Sequence, residues 1–107
     1  MTKFCRYDFA AKGYINKLID AAQGEVEVSE LISASAAVQD ALSEIRDFNS
    51  ADRDFIEATS DYISALAAVV KGKSVEDLDA REAAYVLTRR RVIVEAPVSQ
   101  RSFSEAA

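Results

Sequence analysis

Histidine and tryptophan are absent from this chain of 107 residues, and cysteine, methionine and proline occur once each. Without histidine the chain cannot assemble Ser-His-Asp or Cys-His catalysis, a His-containing zinc site or a Glu-x-x-His di-iron motif. One cysteine, Cys5, excludes an internal disulfide and a cysteine zinc site and points to a reducing compartment. Its expected role is packing at a helix start. Lys3 and Arg6 would favour its thiolate, but no histidine stands by as a base. The three glycines, Gly13, Gly24 and Gly72, are isolated, so no phosphate-cradling loop, dinucleotide fingerprint or calcium loop is present. No apolar run approaches the roughly 18 residues of a spanning helix. The stretch from Met1 to Arg6 has no apolar core or small-residue cleavage site, so no secretory signal or membrane is expected and the cytoplasm is the expected compartment.

What remains is half hydrophobic and well charged, the composition of a soluble globular protein. Apolar residues recur at helical spacing in four blocks. The first uses Phe4, Tyr7, Ala11, Ile15, Leu18, Ile19 and Ala22, with Gly13 as a weak point and Gly24 as the stop. Glu25-Val26-Glu27-Val28 alternates like a short strand. Ser29 suits the N-cap of a second block, whose Leu31, Ser35, Val38, Leu42, Ile45 and Asn49 follow the a/d phase of a packed helix. A third block starts after Asn49 or Ser50, carries a broad apolar face from Phe55 to Val70 and stops at Gly72. Ser74-Val75-Glu76-Asp77 resembles a capping box and opens a fourth block that is apolar on two sides. One side is the small stripe Ala80, Ala83, Ala84 and Leu87, suited to self-association; the other carries Val75, Leu78, Tyr85, Val86, Val92 and Ile93. Val92-Ile93-Val94, before Pro97, is β-branched enough to turn extended. The four tyrosines, Tyr7, Tyr14, Tyr62 and Tyr85, are expected to close the edge of the core with their hydroxyls in water.

The expected fold is all-α: four helices near residues 4–23, 29–48, 50–71 and 74–91, a largely antiparallel bundle, with a short extended pair from 25–28 and 92–96 as an allowed addition. Residues 1–98 would form one helical domain and residues 99–107 a flexible tail anchored at most by Phe103.

Charge is where the sequence speaks about function. Asp40, Glu44, Asp47, Asp52, Asp54, Glu57 and Asp61 face only Arg46 and Arg53 in the same stretch, a local balance of −5 that equals the net charge of the whole chain. A negative field concentrated on the second-to-third helix hairpin suits the basic surface of a partner protein. In size and charge the chain resembles small acidic phage anti-defence inhibitors, which implies masking of a Lys/Arg surface on nucleic-acid machinery, without catalysis and without a cofactor. Two alternatives stand beside this one. Arg89-Arg90-Arg91 would serve a dimeric DNA-binding regulator or antitoxin, although a pI near 4.7 disfavours direct nucleic-acid binding. Glu44-x-x-Asp47 and Asp54-x-x-Glu57, followed by Asp61, resemble the all-carboxylate magnesium sites of helical nucleotide pyrophosphohydrolases, which implies magnesium-dependent nucleotide hydrolysis. In the second helix, however, Asp40, Glu44 and Asp47 lie off the a/d seam, whereas a metal site needs them inward.

Overall fold

The computed structural model describes residues 4–94, and within them every regular element is helical. Helix α1 spans Cys5–Ala22, α2 Val28–Ser43, α3 Ser50–Val70 and α4 Leu78–Arg89, which runs on into a π-helical turn, Arg90–Val94. Phe4, Tyr7, Ala11, Ile15 and Leu18 give α1 one buried stripe at three- and four-residue spacing. Both expected glycine stops form. Gly24 and Gly72 take positive φ of 81° and 85°. At the first, the amides of Gly24 and Glu25 bond to the carbonyls of Ala21 and Asp20 at 2.9 and 3.1 Å; at the second, those of Gly72 and Lys73 bond to Val69 and Ala68 at 2.9 and 3.0 Å. Each satisfies carbonyls that the helix end would otherwise strand.

Three boundaries differ from the sequence reading. Helix α2 begins at Val28 rather than Ser29, because Glu27 becomes the N-cap and its N–H donates to the Glu30 carboxylate at 3.4 Å. It ends at Ser43 rather than near residue 48, so Ile45 and Asn49 leave the expected seam. Asn49 instead caps α3: its side chain accepts from the Asp52 N–H at 2.8 Å while its own N–H donates to Asp52 Oδ2 at 3.1 Å. This reciprocal cap needs an extended residue at Asn49 (ψ −177°), so the chain must leave the helix before it. The proposed box at Ser74 does not start α4. Asp77 is the N-cap, and its carboxylate is taken by Arg81 at 3.0 Å, one turn on.

The extended pair does not form among the described residues. Val28 joins α2, residues 25–27 carry no regular structure, and Val92–Val94 stay helical in the π turn, which packs on α3 and buries Val92. Residues 95 and 96 and the expected tail, 99–107, lie outside the described residues.

Helix α1 packs against α2 and α3, and α4 packs against α3, so α1 and α3 are central and α2 and α4 flank them. An aromatic run fills the joint: Phe4, Tyr7 and Phe55 meet edge to face at 5.6–6.1 Å, then Phe55 stacks on Tyr85 at 6.2 Å and Tyr85 leans on Tyr62 at 5.5 Å. Three of the four tyrosines are therefore core residues rather than edge residues. Their rings contribute large buried area where the two central helices meet α4.

Candidate partner-binding surface

Helix α3 buries Phe55, Ala58, Thr59, Tyr62, Ala65 and Leu66, and this fixes the direction of everything else on it. Asp54, Glu57 and Asp61 fall beside that stripe at i, i+3 and i+7 and are exposed. They line a cleft of about 290 Å³ between α3 and α4, together with Ala58, Ala80, Arg81 and Ala84. The alanines keep the two helices from filling the space between them. Arg81 reaches across, donating through Nη1 to the Asp61 carbonyl at 3.1 Å while its Nε holds Asp77. Its Nε is thus held by an acid outside the cleft, and the lining carries three carboxylates against one guanidinium.

The other acids of the sequence cluster go elsewhere. Asp40 lines a separate cleft on the α1/α2 side, and Glu44 accepts from Arg6 of α1. Asp47 is exposed in the 44–49 connection. Asp52 is 5 % exposed and is spent on the cap of α3, so it is withdrawn from the partner-binding set. The expected hairpin is also looser than foreseen, because α2 takes α1, not α3, as its main packing partner. Among the described residues no three carboxylate, cysteine or histidine side chains are gathered to hold a metal, so the magnesium-site resemblance finds no matching geometry there.

Of the arginine triplet, Arg90 and Arg91 are exposed, but Arg89 turns inward. Its Nε and Nη2 donate to the two oxygens of Asp8 at 2.6 and 2.9 Å, a forked pair joining the first turn of α1 to the last turn of α4. Asp8 is 8 % exposed. The hydrogen bond from Arg89 to the carboxylate holds the guanidinium pKa above its ordinary value. Arg89 is therefore committed to the fold and leaves the nucleic-acid reading with two adjacent arginines. Beside this pair the Tyr85 hydroxyl is buried without a hydrogen-bond partner among the described residues, and burial pushes its pKa up to about 12. Burial also raises Tyr7, against the opposing effect of its hydrogen bond with Thr59, and raises Tyr62, where Glu82 adds to the shift.

The self-association stripe is open: Ala80, Ala83, Ala84 and Leu87 are all exposed, Leu87 at 52 %. Two of its members, Ala80 and Ala84, form the wall of the acidic cleft, so the two features that the sequence kept apart share one surface. Compared with protein-family models, with curated proteins and with solved structures, the chain matches none.

Proposed function

We propose that this chain is a cytoplasmic, non-catalytic interaction protein, of inhibitor or adaptor type, which receives a basic element of a partner protein in the α3/α4 cleft. The observation that carries the reading is the exposure of Asp54, Glu57 and Asp61 along one edge of a cleft walled by Ala58, Ala80 and Ala84. Carboxylates spaced over two turns suit lysines or arginines repeated along a partner helix, and small side chains let its backbone approach. Occupying such a partner's phosphate-binding residues would mask it from nucleic acid by charge and bulk together. The four helices serve as a largely antiparallel frame. Arg6–Glu44 pairs the start of α1 with the end of α2, Lys17–Glu30 the end of α1 with the start of α2, and Arg89–Asp8 the end of α4 with the start of α1, which supports that arrangement. No helix of the described residues is long and apolar enough to cross a membrane.

The test compares three forms in a nuclease-treated affinity capture from host lysate, read by mass spectrometry. These are the parent, Asp54→Lys with Glu57→Lys and Asp61→Lys, and Asp40→Lys with Glu44→Lys. A nucleic-acid-binding protein should be retained by the parent and the α2 form, released by added salt, and lost from the α3 form. Equal retention by the parent and the α3 form would remove the cleft from the interaction.

A further inference from the structure

Helices α1 and α4 both pack on α3 and little on each other, and the Asp8–Arg89 fork ties them at one end only. Beyond the fork they leave a cleft of about 200 Å³. One wall is a stripe of α1, Lys12, Ile15, Asn16 and Ile19 at i, i+3, i+4 and i+7; the other is Glu82, Tyr85 and Val86 of α4. Tyr62 of α3 closes the bottom. Ile15, Tyr62 and Tyr85 are buried, and the two rings lie 5.5 Å apart. Tyr85 is 7 % exposed, and its hydroxyl has no partner among the described residues. At the mouth Ile19 and Val86 show apolar surface, 38 and 42 % exposed. Lys12 and Glu82 are exposed on opposite walls, and neither forms an ion pair with any described residue. An apolar hollow is thus flanked by one free positive and one free negative charge.

We propose that this cleft binds a free α-amino acid with an apolar side chain, Lys12 receiving its carboxylate, Glu82 its ammonium, and Ile15, Tyr62 and Tyr85 its side chain. Size sets the first limit. Clefts that take drug-sized ligands hold about 300–1,000 Å³, so this one suits a smaller molecule. Charge sets the second. A carboxylic acid alone would leave Glu82 unopposed, an amine alone would leave Lys12 unopposed, and a side chain inside a peptide brings neither terminal charge. A free amino acid carries both on one carbon, beside a side chain that matches the apolar floor. The Asn16 amide can bond to either group as donor or acceptor. No residue of this cleft lines the acidic α3/α4 cleft, so the proposal stands or falls independently of the partner-binding reading.

Amide and methyl NMR of the full chain titrated with L-leucine tests it, with isocaproate and isoamylamine as analogues that lack the ammonium and the carboxylate respectively. The expected result is saturable shifts at Ile15, Ile19 and Val86, and a dissociation constant raised about tenfold or more for either analogue. Lys12→Gln should weaken L-leucine by the same order and leave isoamylamine unchanged. Glu82→Gln should weaken L-leucine and leave isocaproate unchanged. Both side chains are exposed, so circular dichroism should show unchanged helicity in the two variants. The absence of any shift with L-leucine, L-valine or L-phenylalanine up to about 10 mM would overturn the proposal. So would equal affinity for L-leucine and its two analogues, L-leucine binding that survives both substitutions, or shifts confined to other faces of the molecule.

Discussion

Tyr85 places a phenol hydroxyl where no described protein group bonds to it, and its raised pKa has a consequence in alkali. The folded chain holds this proton more tightly than the unfolded chain does, so stability is fully present below the unfolded value near 10 and is lost as pH rises toward about 12. Tyr7 and Tyr62 shift in the same direction. Urea denaturation should therefore show the parent losing stability above about pH 10, and Tyr85→Phe losing about 1 kcal/mol less of it near pH 11. An identical pH profile in the two would deny the shift. Arg89 carries the second residue-scale prediction. Arg89→Ala leaves the Asp8 carboxylate buried without its partner and should cost about 3 kcal/mol, whereas Arg90→Ala and Arg91→Ala should stay within about 0.5 kcal/mol. Equal effects at all three positions in chemical denaturation would contradict the inward placement of Arg89. Half of this pair was legible: Asp8 falls on the same stripe as Phe4, Ala11 and Ile15, a lone acid on an apolar face, and Arg89 follows Tyr85 by one turn. What periodicity could not give was that two charges on separate stripes, far apart in sequence, satisfy each other.

Helix existence was legible at the scale of the element, because four apolar stripes and two positive-φ glycines each state their own case. Helix ends were less legible than the helices themselves. The start of α3 read to within one residue, after Asn49 or Ser50, but Ser29 and Ser74 lost to Glu27, which shares a capping box with Glu30, and to Asp77, whose carboxylate Arg81 holds. The π turn had no sequence signal, since β-branched Val92 and Ile93 read as extended until the contact with α3 is known. Gly13 offers the clean test at this scale. It lies exposed inside α1, and a Cβ there would meet nothing within 4 Å. Gly13→Ala should therefore stabilise the fold by roughly 0.5–1 kcal/mol through helix propensity and a less free unfolded chain. An unchanged or lower melting temperature would mean that the site has a constraint its open surroundings do not reveal.

For the molecule as a whole, the acidic stretch that is continuous in sequence is divided in space. Asp54, Glu57 and Asp61 face the α3/α4 cleft, Asp40 and Glu44 belong to the α1/α2 side, and Asp52 is inside. Charge clustering was readable from the chain, but the division depends on which helices pair, and the stripes do not specify that. The exposed Phe9 likewise lies off the apolar stripe of α1, where no periodicity marks it. The Asp8–Arg89 fork, finally, spans 81 positions of the chain, while the contacts of α1 with α2 and of α3 with α4 are between sequence neighbours. Loop closure makes the long link the last to become favourable during folding. The two helix pairs should assemble first and the fork should fasten them afterwards, so that its loss is felt in how fast the molecule comes apart rather than in how fast it forms.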